Sequence, residues 1–313
     1  MRKYSLRTDQ YSLFQGSVHG RKLAQGDESA PACTDCHGKH NILAVKDPNS
    51  SVSRKNVVET CGQCHANEKV FKKRGKPWNQ LEKFKKSRHY ELYSQGDLLV
   101  PTCVDCHGNH GITPAVSDRT RTVCFKCHTE QEKYYKASPH WAAYKTGGEP
   151  ICLNCHNAHD ILRPTVAKFT GDAENDCVEC HDEKSEAYLR GVELRNIAMS
   201  TITAAHGASG NLADFQKNAH GGFEFGDLEE KLTKINEELK EMHTLTHKMN
   251  VPEVKRQSDR IIQIAEFVTG KVVSMREEIR TRNLGLVVAL IVFIGFTVAL
   301  VLKSRLIEKD RED

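Results

Sequence analysis

The chain has 313 residues, of which 38% are hydrophobic and 27% are charged. That length could hold two ordinary domains, but a mean hydropathy of −0.55 argues against a chain built throughout around apolar side chains. The formal net charge of +4 gives no reason to expect a nucleic-acid partner.

The first ten residues, Met1–Gln10, contain no apolar run and do not form a signal peptide. For an exported protein we therefore expect either that a signal has been removed or that the biological start lies elsewhere. The first repeated element begins downstream, at Ser17.

Every cysteine lies in one of six C-x-x-C-H motifs. Two thiols held three positions apart can form thioethers to the two vinyl groups of a porphyrin, and the next histidine can put an imidazole under the iron. The alternatives are a zinc ribbon, a redox-active dithiol and a disulfide scaffold, but a zinc ribbon needs no histidine after the second cysteine. We predict six covalently bound c-type haems. The thioether cysteines are Cys33, Cys36, Cys61, Cys64, Cys103, Cys106, Cys124, Cys127, Cys152, Cys155, Cys177 and Cys180, and the proximal iron ligands are His37, His65, His107, His128, His156 and His181.

The six motifs occupy the 149 residues from Cys33 to His181, which leaves about 25 residues per haem. We therefore expect the haems to form the core of a mainly α domain with extensive loops, covering residues 1–183. The haem propionates would make the assembled protein closer to neutral or acidic. Because covalent haem attachment happens outside the cytoplasm, we expect this domain on the periplasmic side.

The motifs form three two-haem repeats: repeat 1 (17–65), repeat 2 (87–128) and repeat 3 (138–181). Each repeat opens with S-x-H and has a proline two residues before its first cysteine. A second histidine, the trailing histidine, follows three residues after the first C-x-x-C-H. A plain C-x-x-C-H closes the repeat. Such consistency predicts haem pairs that stack on one another.

No methionine lies between the first and last motifs, so histidine must supply any sixth iron ligands. The repeats offer six distal candidates: His19, His89 and His140 from S-x-H, and the trailing His40, His110 and His159. We expect each trailing histidine to reach the other haem of its own pair. His206 and His220 are further possible distal ligands. For His243 and His247 we expect surface positions, with a bound metal or a b-type haem as the alternative.

Between repeats 1 and 2, the segment from Lys69 to Arg88 carries nine lysines and arginines. We interpret it as a solvated face that offsets propionate charge. Docking of an acidic partner is the alternative.

Beyond the motifs, residues 184–282 read as a helical segment. The pattern Leu228, Leu232, Ile235, Leu239, Met242, Thr246 and Met249 has heptad-like spacing. A turn at Asn250–Pro252 and a second helix complete a helical hairpin. A transmembrane helix is predicted at 283–303, since the uncharged span Leu284–Leu302 is about 28 Å long as a helix. Residues 304–313 form a short cytoplasmic tail.

The doubled motifs with a trailing histidine, CTDCHGKH at Cys33–His40 and CVDCHGNH at Cys103–His110, make the region Ser17–His181 resemble the multihaem cytochromes c of bacterial respiration. These motifs look like those of the small low-potential multihaem cytochromes and the nitrite-reductase-associated cytochromes. The resemblance implies bis-histidine ligation and electron transfer at a membrane. The membrane-bound quinol dehydrogenase cytochromes of this group carry an N-terminal anchor, whereas the span here is C-terminal.

From this we expect a hexahaem cytochrome c tethered to the inner (cytoplasmic) membrane by a single C-terminal helix. It would be an electron-transfer protein without a catalytic site. A lone helix leaves little room for a quinone pocket, so we expect an integral-membrane redox partner, a cytochrome b or a quinone-reactive subunit, and a soluble periplasmic redox protein. The alternative is a multihaem reductase or oxidase of a small nitrogen or sulfur compound, with one substrate-accessible haem.

Overall fold

The fold is mainly α with long loops, as the sequence predicts. The computed structural model describes residues 7–113, 118–169, 177–218 and 222–312, and within these ranges it contains helices and no strand. The α helices are α1 (Gln10–Gly16), α2 (Val18–Ala24), α3 (Cys33–His37), α4 (Val57–His65), α5 (Glu68–Lys72), α6 (Gln80–Lys86), α7 (Arg88–Ser94), α8 (Cys103–His107), α9 (Asp118–Thr122), α10 (Thr129–Lys136), α11 (Pro139–Gly147), α12 (Cys152–His156), α13 (Glu186–Asn218), α14 (Gly226–Leu245) and α15 (Val251–Glu312). Short 3₁₀ helices lie at Val123–Lys126, Val166–Phe169, Cys177–Glu179 and Thr246–Lys248.

The chain divides into two compact bodies. The first comprises Met1–Arg195 and Thr244–Asn250, and the second comprises Asn196–His243 and Val251–Asp313. The first body carries all six motifs on short helices and helical turns. The second consists of the three long helices α13, α14 and α15, apart from their residues that belong to the first body.

The first body has few buried apolar side chains. Among its described residues only five are buried: Ala30, Val57, Val58, Leu194 and Leu245. The described residues of the smaller second body bury fourteen. A body of this size with so small an apolar core needs other material to fill its interior, which is the role predicted for the haems.

The second body is a three-helix arrangement with heptad-like packing. Its buried side chains recur at steps of three, four or seven residues, the spacing that keeps one helix face against its neighbours. They are Ala198, Thr201, Ala205, Ala208, Leu212 and Phe215 on α13, Leu228, Ile235 and Met242 on α14, and Val254, Ile261, Ala265, Val268, Val272 and Met275 on α15.

Helices α14 and α15 form the predicted hairpin. Gln257 donates to Glu238 at 3.2 Å, and the Lys231 ammonium lies 5.0 Å from the Phe267 ring centre. Because positions later in α15 meet positions earlier in α14, the two helices are antiparallel. The Thr201 and Ser258 hydroxyls, 2.6 Å apart and buried, join α13 to α15.

The long helix α15 runs for 62 residues without interruption, about 93 Å at the usual helical rise. Its C-terminal half contains a stretch that is long and apolar enough to cross a membrane, and none of that stretch is buried. The predicted span Leu284–Leu302 lies within it. Exposed leucine, isoleucine, valine and phenylalanine side chains of this density match a lipid environment.

Candidate functional site

The S-x-H sequences begin helices. Ser17, Ser87 and Ser138 are buried, and the hydroxyl oxygen of each accepts a hydrogen bond from the backbone N–H three residues later, at 3.0–3.3 Å. This is the side-chain N-cap that a helix start favours. It places the histidine of S-x-H at the second position of α2, α7 or α11. The cap therefore sets where the imidazole lies relative to the proximal histidine opposite it.

The first motif of each repeat forms a five-residue helix, α3, α8 or α12. The residue directly before the second cysteine is Asp35, Asp105 or Asn154. Its side-chain oxygen accepts a hydrogen bond from the backbone N–H of the residue directly before the first cysteine, at 2.7 Å in each repeat. The residue after the proximal histidine has a left-handed φ: 81° at Gly38, 86° at Gly108 and 63° at Asn157. That conformation ends the helix and turns the chain toward the trailing histidine.

All twelve cysteines lie within the described residues, and none forms a disulfide. Two contacts join thiols of different repeats: Cys61 is a hydrogen-bond partner of Cys103, and Cys124 is a partner of Cys152. The attachment sites of the second and third motifs therefore adjoin, as do those of the fourth and fifth. Each motif therefore keeps two thiols that could form thioethers.

Six pairs of histidine rings stand opposite each other at similar separations, with angles of 8–42° between the ring planes. One ring of each pair belongs to a C-x-x-C-H motif, and the ring centres are 5.9–6.2 Å apart. The pairs are His65 with His19, His37 with His110, His128 with His89, His107 with His159, His181 with His140, and His156 with His247.

This separation fits one metal ion between two imidazoles. An imidazole nitrogen lies about 2 Å from a metal that it ligates, and the ring centre lies about 1 Å behind the nitrogen, so two ligating rings have centres about 6 Å apart. With two thiols beside each proximal ring, the residues fit covalently attached haem with both axial positions filled.

Residues 142–186 match a protein family described as the doubled CXXCH motif, and the matched segment contains both motifs of repeat 3. The match supports a multihaem c-type cytochrome with covalently bound haem. No curated protein and no solved structure matches the chain.

The two kinds of repeat histidine have different targets. The S-x-H histidines His19, His89 and His140 each face the second proximal histidine of their own repeat. The trailing His110 instead faces His37 of repeat 1, and His159 faces His107 of repeat 2. The sequence predicts that each trailing histidine reaches the other haem of its own pair. In the structure, His110 and His159 reach back to the preceding repeat instead, because the repeats stack in chain order.

His247 faces His156, although the sequence predicts a surface position for it. No further repeat follows repeat 3, and the segment Thr244–Asn250 provides the imidazole there. Its Nδ1 lies 3.0 Å from the Thr244 carbonyl oxygen, which can only accept, so this contact favours the tautomer with the proton on Nδ1, and Nε2 would be the nitrogen that ligates a metal. The one sequence signal was that no fourth repeat follows repeat 3 to supply a trailing histidine opposite His156.

Two further distal candidates in the described part of the chain, His40 and His206, are not placed beside a proximal ring. His40 is exposed, and among the described residues no proximal imidazole faces it. His206 is exposed on α13. His220 lies outside the described residues. His243 is exposed near the end of α14, in the other compact body from His247.

Burial disfavours the charged form of several of the paired imidazoles, and the neutral form is the one that binds metal. Burial, together with the neighbouring rings of His19, His107 and His159, lowers the pKa of His65 to about 4. Burial also lowers the pKa values of the facing rings His19, His89, His110, His140 and His159.

The basic segment from Lys69 to Arg88 is largely paired with carboxylates. Six of its nine cations form ion pairs: Lys72 with Glu68, Arg74 with Asp27, Lys83 with Asp160, Lys85 with Glu59, Lys86 with Glu82, and Arg88 with Glu91. This pairing favours a solvated surface over a docking site for an acidic partner.

Proposed function

We propose that this protein is a hexahaem cytochrome c that carries electrons through irons ligated by two histidines each. The observation that carries the proposal is the six imidazole pairs, each spaced for a metal ion. An iron with two protein ligands has no free position for a substrate, so electron transfer is favoured over catalysis.

The residues in this proposal have separate roles. The twelve cysteines hold the porphyrins, the motif histidines are proximal ligands, and His19, His89, His110, His140, His159 and His247 are distal ligands. Haem, when bound, supplies one-electron redox chemistry. Histidine in place of methionine at the distal position favours low potentials. The adjoining thiols Cys61 and Cys103, and Cys124 and Cys152, bring the attachment sites of successive repeats together.

The same proposal includes a membrane tether. Helix α15 is long and apolar enough to anchor the protein, and covalent haem attachment requires the haem body on the periplasmic side of the inner membrane. A single helix offers no enclosed quinone site, so a cytochrome b or another quinone-reactive membrane subunit would exchange electrons with the haems. Soluble periplasmic redox proteins would be at the other end.

Low-temperature electron paramagnetic resonance of the oxidised, detergent-solubilised holoprotein tests the ligation. We expect six low-spin ferric irons per chain and no high-spin signal. Addition of nitrite, hydroxylamine or sulfite should leave the spectrum unchanged. One high-spin iron that shifts with any of these compounds would replace the transfer proposal with the reductase or oxidase alternative.

A further inference from the structure

Successive repeats are joined by the same two contacts. The first is the trailing histidine, which faces the first proximal histidine of the preceding repeat, as His110 faces His37 and His159 faces His107. The second is a backbone hydrogen bond. The carbonyl of Ile112, two residues after His110, accepts from the Val18 N–H at 2.9 Å, and the carbonyl of Ile161, two residues after His159, accepts from the Arg88 N–H at 2.9 Å.

Both donors occupy the same position, directly after the serine that caps the S-x-H helix. Each trailing segment therefore contacts both the start of an S-x-H helix and the ring of a proximal histidine in the preceding repeat. We call this combination the inter-repeat contact.

Repeat 1 carries the residues for an inter-repeat contact, but residues 1–16, which come before it, hold no C-x-x-C-H motif. His40 and Ile42 stand where repeat 2 has His110 and Ile112. His40 is exposed and the Ile42 side chain is 63% exposed, whereas His110 and Ile112 are half-buried. Among the described residues no ring faces His40, and no N–H donates to the Ile42 carbonyl.

Repeat 3 cannot take part in the inter-repeat contact from the other side. The residue after Ser138 is Pro139, which has no N–H to donate. The ring of His247 already faces His156. A second copy of this chain therefore cannot present repeat 3 to the His40 segment, and head-to-tail self-assembly by this contact is excluded.

We propose that the segment His40–Ile42 is a docking site for a different c-type cytochrome, whose terminal two-haem repeat has an open axial position. His40 ligates that iron through an imidazole nitrogen, which displaces a bound water without any change in oxidation state. The Ile42 carbonyl accepts the N–H that follows the serine of the partner's S-x-H. The proposal rests on the proposed function, because it assumes that the trailing histidines are iron ligands.

The first test uses a haem c peptide as the probe. It carries one C-x-x-C-H motif, and its ferric iron is high-spin with water at the sixth position. We expect the full-length holoprotein to convert the peptide to the low-spin form at one peptide per chain. His40→Ala should weaken this binding at least tenfold, whereas His206→Ala, which removes another exposed histidine, should not change it. Equal binding by the two variants would overturn the proposal.

The spectrum of the protein's own irons separates the two proposals. If His40 serves a partner, His40→Ala leaves all six irons low-spin. If the variant gains a high-spin iron, His40 ligates a haem of its own chain and the docking proposal fails. A high-spin iron in the wild-type protein would instead count against the proposed function, whatever the peptide does.

The second test places a photo-crosslinking amino acid at Ile42 of the full chain in intact membranes. We expect a crosslinked product that contains C-x-x-C-H peptides of another protein by mass spectrometry, and that disappears with His40→Ala. A product with a second copy of this chain, a product with a protein that lacks the motif, or no product at all would overturn the proposal.

Discussion

At the scale of single residues, the spacing within S-x-H serves both folding and ligation. The serine hydroxyl satisfies a backbone N–H at the helix start, and the histidine two positions later is then held on the first turn. The Asp or Asn between the cysteines does the same for the motif helices. Local hydrogen bonds thus position the imidazoles in a body with little apolar packing.

His247→Ala should open one axial position, that of the iron beside His156. We expect the reduced variant to bind about one carbon monoxide per chain, measured by optical titration, whereas the wild-type protein binds none. His243→Ala, four residues earlier on α14, is the control and should also bind none. Carbon monoxide binding by the control alone would contradict the pairing of His247 with His156.

Loss of an S-x-H cap should destabilise the fold measurably. Ser87→Ala removes the acceptor for the Tyr90 N–H and should lower the free energy of unfolding by about 0.5–2 kcal/mol. Ser94→Ala, at the exposed end of the same helix α7, should change it by less than about 0.5 kcal/mol. Urea titration followed by circular dichroism measures both, and equal losses would argue against the capping role.

At the scale of the elements, the two bodies obtain their stability from different sources. The long helices α13, α14 and α15 pack through apolar side chains at heptad-like spacing. The short helices of the first body depend on caps, turns and the groups that the motifs bind. We therefore expect substitutions in the second body to affect stability while leaving haem spectra unchanged.

The neighbouring residues Val272 and Val273 on α15 provide a matched test. Val272 is 1% exposed and Val273 is 48% exposed. Val272→Ala should cost on the order of 2 kcal/mol, since it removes two buried methyl groups and leaves a cavity. Val273→Ala should cost less than about 0.5 kcal/mol. Thermal unfolding monitored by far-ultraviolet circular dichroism should separate the two, and similar melting curves would contradict the heptad assignment.

Sequence reasoning succeeded where the chemistry is local. The motifs, the repeat boundaries and the span Leu284–Leu302 can all be found by inspection, because adjacent residues carry each signal. The targets of His110 and His159 could not be found in this way, because they depend on how the repeats stack. His247 lies outside the repeat pattern altogether. The sequence predicts α14 and α15 as the helical hairpin but gives only a weak hydrophobic pattern for α13. The buried face of α13 includes small residues such as Ala198, Ala205 and Ala208.

At the scale of the whole molecule, a haem-bearing body and an apolar helix belong to one chain. Helix α15 has eight buried residues between Val254 and Met275 and an exposed apolar stretch after residue 283. The same helix therefore packs in a protein core along one part and suits a lipid core along another. A membrane location and the haem content can be tested independently.

Truncation after Arg282 should release the protein from the membrane without loss of haem. We expect the full chain to stay in the membrane pellet after alkaline carbonate extraction and the truncated chain to appear in the soluble fraction. Both should give six haems per chain by the pyridine haemochrome assay. Retention of the truncated chain in the pellet would contradict a single C-terminal anchor.

The position of His247 has a consequence for biosynthesis. All twelve cysteines and the other five facing histidines lie within the first 181 residues, whereas His247 is made only after α14 and four residues before α15 begins. A chain that stops short of this point could attach every haem and still leave one iron incompletely ligated. Completion of that last axial pair would thus report that translation has passed His247, so that products ending before this residue differ in colour and reactivity from longer ones.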